Sequence, residues 1–157
     1  MAFRIDFLTP LIGTEIGDGK TVPFPWLGVS AQPLRYLDYL IENPIRAVLL
    51  LDRGAILANL PNPARYALHQ IIVAERRGGT WFPKRAKDRA QSEALIDFFA
   101  KNDVGLLDEA FDDLAMRHPS WMKILRKGIA NLSSSVGDLP WVRERFGPTA
   151  KNHGPLS

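Results

Sequence analysis

Apolar and polar residues alternate through Phe3, Arg4, Ile5, Asp6, Phe7 and Leu8, and the alternation stops at Thr9-Pro10. A period of two sends successive side chains to opposite faces, so the stretch predicts a strand closed by a breaker. Because it opens at residue 3, the chain is expected to start inside a fold. Residues 13–25 are rich in glycine and proline and predict a loop, with room for a short strand near Val22. From Pro33 to Glu42 the apolar positions Leu34, Leu37, Leu40 and Ile41 take a helical spacing, with Pro33 suited to a first turn and Pro44 as a stop. Two apolar runs, 46–51 and 55–60, flank Asp52-Arg53-Gly54 and predict a β-hairpin.

After Pro61-Asn62-Pro63 the period becomes helical. Asn62 is placed to cap a helix whose stripe is Ala64, Ala67, Leu68, Ile71 and Ile72, ending near Arg77 and Gly78-Gly79. Further helices are expected over 83–101, 104–117 and 120–132. Ser133, Ser134 and Ser135 open an expected mobile stretch, Asp138-Leu139-Pro140-Trp141 an expected short helix, and 151–157 a disordered tail. The expected fold is α+β: a small partial sheet with one helix over 1–61, a bundle of about four helices over 62–132, and a short helix and tail over 133–157.

Composition narrows the class. Of 157 residues, 46% are hydrophobic and 24% charged, ordinary values for a globular chain that can bury a core. No apolar run is long enough to cross a membrane, and the first residues do not resemble a signal peptide. There is no cysteine, which removes disulfides and thiol chemistry and fits a reducing cytoplasm. The net charge of +3 conceals an uneven distribution. Between Arg76 and Arg89, six cations (Arg76, Arg77, Lys84, Arg85, Lys87 and Arg89) face one acid, Asp88. Between Asp97 and Asp113 the sign reverses. A local basic patch points to a phosphate-bearing partner, nucleic acid included; two solvated helix faces of opposite sign are the alternative.

The segment 83–101 carries the most candidate chemistry. Its expected inward stripe runs from Ala94, Leu95, Phe98 and Phe99 back to Gln91, then Lys87 and Asp88, then Lys84. Polar residues on an otherwise inward face, near a helix N-terminus, suit an anion. An internal ion pair from Asp88 to a basic residue of the preceding helix explains the same pattern without a ligand. Arg65, His69 and Arg76 lie along one side of that preceding helix and are expected to face Lys84–Asp88. His69 is a candidate acid or base, or simply a packing residue. Asp6, between apolar neighbours on a strand, can project into a cleft or lie at an exposed edge. Trp81-Phe82 beside the cations can stack on bases or pack at a helix turn.

Pro63-Ala64-Arg65-Tyr66-Ala67-Leu68-His69, then Arg76-Arg77, then Lys84, Lys87-Asp88 and Gln91, resemble a bacterial family of nucleotidyltransferase-like proteins in the polymerase-β-type superfamily. The opening strand through Pro10 and the segment Leu34-Arg35-Tyr36-Leu37-Asp38-Tyr39-Leu40 resemble it too, so the likeness covers roughly residues 3–130. In that superfamily a Gly-Ser turn precedes two carboxylates separated by one residue, and a third carboxylate sits on a neighbouring strand. Together they hold divalent metal ions that bind a nucleoside triphosphate. The resemblance implies that Asp6 matches the third carboxylate and a Mg²⁺ ligand. It also implies that Arg65, His69, Arg76, Lys84, Lys87, Asp88 and Gln91 lie on the nucleotide or phosphate side.

The departures are as informative. No Asp or Glu in the chain lies two residues from another, and no Gly-Ser turn stands in the right context. The family pattern places those motifs before Phe3, so the chain resembles the C-terminal part of the architecture. Gln70 stands where the pattern expects a lysine. Two readings follow. One is a nucleotidyltransferase-fold protein that binds nucleotide or nucleic acid but cannot transfer a nucleotide alone. The other is an interaction module with no small-molecule site, forming a homodimer or completed by another chain, because a partial sheet leaves an open edge and a bare apolar face.

Overall fold

The computed structural model describes residues 5–13, 20–77 and 82–147. The backbone of Phe3 and Arg4, Gly78-Gly79, Trp81 with the ring of Phe82, and the tail from Lys151 lie outside the described residues. The chain divides into two compact units, Met1–Pro61 and Asn62–Ser157. The architecture is α+β, with strands first and helices after them.

In the first unit β1 (Leu8–Pro10), β2 (Val22–Phe24) and β3 (Val29–Leu34) form a sheet in the order β1-β3-β2. β1 runs parallel to β3 with Thr9 opposite Pro33, while β2 runs antiparallel with Pro23 opposite Ser30. This corrects two expectations. The first strand lies later than the alternation suggested: Thr9 and Pro10 belong to it, and Asp6 sits two residues ahead of it. Pro33 is in a strand rather than a helix. β2 pairs only with residues 29–31 of β3 and β1 only with 32–34, so at Pro33 the strand has a neighbour on one side. A residue with no N–H is tolerated at such an edge. The helix α1 is therefore short, Leu37–Ile41. It starts at Tyr36, which is buried and holds a left-handed φ of 67°, an uncommon conformation for a bulky residue.

The hairpin forms as the pattern demands. β4 (Ile45–Leu51) pairs with β5 (Gly54–Leu60) in an uninterrupted register from Ile45 opposite Leu60 to Leu51 opposite Gly54. Asp52 and Arg53 make the two-residue turn. Among the described residues its sheet has these two strands. Large side chains stay out in solvent on both faces, Leu50 at 83% exposure on one and Leu51 at 57% on the other.

The second unit is helical: α2 (Pro63–Arg76), α3 (Phe82–Asn102), α4 (Val104–Ala115), α5 (Pro119–Ile129), α6 (Ser134–Gly137) and α7 (Pro140–Phe146). Asn62 caps α2, its Oδ1 accepting from the N–H of Ala64 at 2.9 Å and of Arg65 at 3.4 Å. Such a bond satisfies amides that the first turn leaves open. Asp103 caps α4 and His118 caps α5. The core is centred on α2: Ala64, Ala67, Leu68, Ile71 and Ile72 are buried with Ile96, Leu107, Leu114, Leu125 and Ile129. Ser133, expected to open a mobile stretch, instead precedes α6, and its N–H donates to Glu93 at 2.7 Å. Trp141 of α7 is buried, and its indole N–H donates to Asp108 at 2.8 Å.

Candidate functional site

The inward face of α3 decides how the candidate residues are arranged. Among the described side chains, Asp88, Ser92, Ile96 and Phe99 are its buried positions. Their spacings of four, four and three residues define one helix face. The expected stripe through Ala94 and Phe98 is therefore displaced around the helix: Ala94 is exposed and Phe98 is 55% exposed. The cause is a small residue at a close helix approach. Ser92 lies fully buried against α2 and its hydroxyl donates to the carbonyl of Ala67 at 2.7 Å. A leucine- or phenylalanine-weighted pattern cannot see a contact made by serine and alanine.

This displacement separates residues expected to act together. Lys84, Lys87 and Gln91 lie on the exposed side of α3. Gln91 accepts a hydrogen bond from the Tyr66 hydroxyl at 3.3 Å. Asp88 turns the other way, into the interface with α2, where its Oδ2 lies 2.7 Å from Nε of Arg77. The internal ion pair weighed for Asp88 is thus present, formed with Arg77 rather than Arg76. Arg76 is exposed at the end of α2.

Arg65 does not face Lys84–Asp88. Arg65 is buried and reaches α4, where its Nη1 donates to Asp113 at 2.9 Å; Arg117 joins the same carboxylate. His69 is one turn further along α2 and buried, with Nδ1 making no hydrogen bond. Burial pushes its pKa down to about 4 from 6.5, because a charged imidazolium would lose its hydration there. It is therefore neutral at physiological pH, and Nδ1 is a polar atom left unpaired in the interior.

Asp6 belongs to the first unit. It is exposed and lines a pocket of about 370 Å³ with Ile5, Phe7, Leu8, Thr21, Ser30 and Gln32. The pocket offers one carboxylate, two hydroxyls and an amide. A divalent ion such as Mg²⁺ is held through one or two carboxylates, waters and substrate phosphates in near-octahedral geometry. Among the described residues no group of three or more His, Cys, Asp or Glu side chains could hold a metal ion. This donor set does not amount to a metal site by itself.

One cluster was not anticipated. The Glu75 side chain is 1% exposed, yet it carries the charge of three partners. Its Oε1 accepts from Nη2 of Arg85 and of Arg89, each at 2.9 Å, and from Asn131 at 3.3 Å. Lys127 approaches Oε2 at 3.5 Å. Burial pushes the Glu75 carboxyl up, but the hydrogen bond and charge of Arg85, with Arg89 and Asn131, outweigh it and hold the pKa below the usual range. Gly128 permits this approach: a Cβ there would meet the Ile71 side chain inside contact distance and Glu75 Cγ at 3.0 Å. The sequence signal was Glu75 at the end of an apolar stripe, but its partners on α3, on α5 and at Asn131 just past α5 lie as many as 56 residues away.

Strands followed by a helical unit define an α+β protein. A family model described as nucleotidyltransferase matches residues 1–117, and the chain belongs to that nucleotidyltransferase family. No curated protein and no solved structure matches the chain. No helix among the described residues is long and apolar enough to cross a membrane.

Proposed function

We propose that this chain is a nucleotidyltransferase-fold protein that binds a nucleoside triphosphate or its phosphates and does not transfer a nucleotide by itself. The carrying observation is the shared exposed side of Lys84, Lys87 and Gln91 on α3, in a chain of this family. Two lysines about one turn apart present mobile point charges to phosphate oxygens. In this reading Asp88 holds α3 against α2 through Arg77, and Arg65 holds α2 against α4. These two hold the helices behind the surface, Arg76 adds charge at the end of α2, and His69 is a buried neutral ring that is not part of the surface. Asp6 is the carboxylate of the other unit's pocket. With no acid two residues from another, the chain lacks the pair that activates the attacking hydroxyl. A catalytic partner chain would supply it, and Mg²⁺ would arrive with the triphosphate.

The test is thermal unfolding with each of the four nucleoside triphosphates, with and without Mg²⁺, on wild type and Lys87→Ala. Lys87 is exposed, so its truncation leaves the fold intact. A ligand at a hundred times its Kd stabilises by about 2.7 kcal/mol. A stabilisation that Lys87→Ala abolishes is the expected result; no shift with any nucleotide rejects the reading.

The second reading, an interaction module, is favoured by the hairpin. A two-stranded ribbon with Val48, Leu50 and Leu57 all more than half exposed has no core of its own. A homodimer, or the catalytic partner chain, would cover it. Sedimentation of wild type and Leu50→Lys separates the readings: a dimer that the substitution dissociates supports the module, and a monomer at all concentrations removes the homodimer.

A further inference from the structure

We infer that the end of the helical unit where α3 and α5 meet Glu75 is a binding face for the phosphodiester backbone of a single-stranded nucleic acid. The basic segment of α3 is extended in space by α5, a helix that lies far from it in sequence. Arg85 and Arg89 from α3 and Lys127 from α5 converge on one carboxylate. Three positive charges against one negative leave an excess of two. Asp88, the other acid in this part of α3, is taken by Arg77. The Arg85 and Arg89 side chains remain 28% exposed and Lys127 70% exposed, so none of the three is sealed from solvent, although Nε of Arg85 is buried. Lys123 lies one turn before Lys127 and is exposed.

Glu75 fixes the two guanidiniums through one Nη2 each, which orders them without using their remaining donors. Like charges held this close favour a bridging anion, and a guanidinium fork matches phosphate oxygens. The spread of cations over two helices suits a polymer of phosphates better than a single one. The neighbouring exposed side chains of α3 here are Lys84, Ala86, Lys87 and Ala90. The face requires no nucleotide transfer, so it stands apart from the function proposed above.

The test is fluorescence anisotropy with a labelled single-stranded oligonucleotide of about 20 nucleotides, across a salt series, on wild type and the double variant Lys123→Gln/Lys127→Gln. Both lysines are exposed, and an unchanged thermal melt verifies the fold. Four phosphate contacts give a slope of log K against log salt of about −2.8, and removing two brings it to about −1.4. A saturable complex at low salt with that loss of slope is expected. Absence of binding at low salt overturns the proposal, as does binding whose slope the double variant leaves unchanged. Lys87→Ala with nucleotide tests the earlier reading separately, so the two can fail independently.

Discussion

Replacing Glu75 by glutamine removes one charge and almost no volume, which makes it the sharpest probe of how the helical unit is held. The wild-type carboxylate accepts two charge-assisted bonds, from Arg85 and Arg89 at 2.9 Å, and one from Asn131. Hydrogen bonds involving an ionised group contribute roughly 1.5–3 kcal/mol and neutral ones roughly 0.5–1.5. Glutamine keeps an oxygen acceptor, so each arginine loses about 1 kcal/mol. Lys127, at 3.5 Å and largely hydrated, adds close to nothing. The expected cost of Glu75→Gln is about 2 kcal/mol, since the partly exposed guanidiniums can recover water but remain crowded. Urea unfolding followed by far-UV circular dichroism measures it. The carboxyl's pKa is lowered, so its contribution is fully present above the usual glutamate range and is lost as pH falls through the lowered value. The gap between wild type and variant should therefore shrink on acidification. A variant within about 0.5 kcal/mol of wild type at neutral pH would refute the reasoning, because it would mean that burial of the carboxylate cancels its bonds.

Three further outcomes follow from other residues. His69 folds with a pKa of about 4 against 6.5. Its neutral form thus favours the fold above 6.5, and stability falls by up to about 3 kcal/mol as pH drops from 6.5 toward 4; His69→Leu should flatten that part of a pH–stability curve. Gly128→Ala places a methyl against Ile71 and Glu75; overpacking of about 1–3 kcal/mol, offset by about 1 kcal/mol of helix propensity, gives a net loss in calorimetry. Asn62→Ala removes the cap of α2 and should cost about 1 kcal/mol in the same denaturation experiment.

Local rules made much of the fold legible. The hairpin followed from two apolar runs around Asp52-Arg53-Gly54, and the start of α2 from Asn62-Pro63, because these depend on neighbours in sequence. The absence of an acid two residues from another is likewise a property of the sequence alone. Residues placed by distant partners were not legible. Pro33 reads as a helix start until β1 and β2 are seen to flank different halves of β3. Asp88 and Lys87 are adjacent in sequence, yet one is buried against Arg77 and the other exposed. Periodicity fixes the relative angle of two side chains on a helix, whereas packing decides which angle faces inward. Here the contact of Ser92 with Ala67 made that choice. Glu75 shows the same division: its sequence position names a charge at the end of a stripe, and only the packing of α3 and α5 around it brings three cations to one carboxylate.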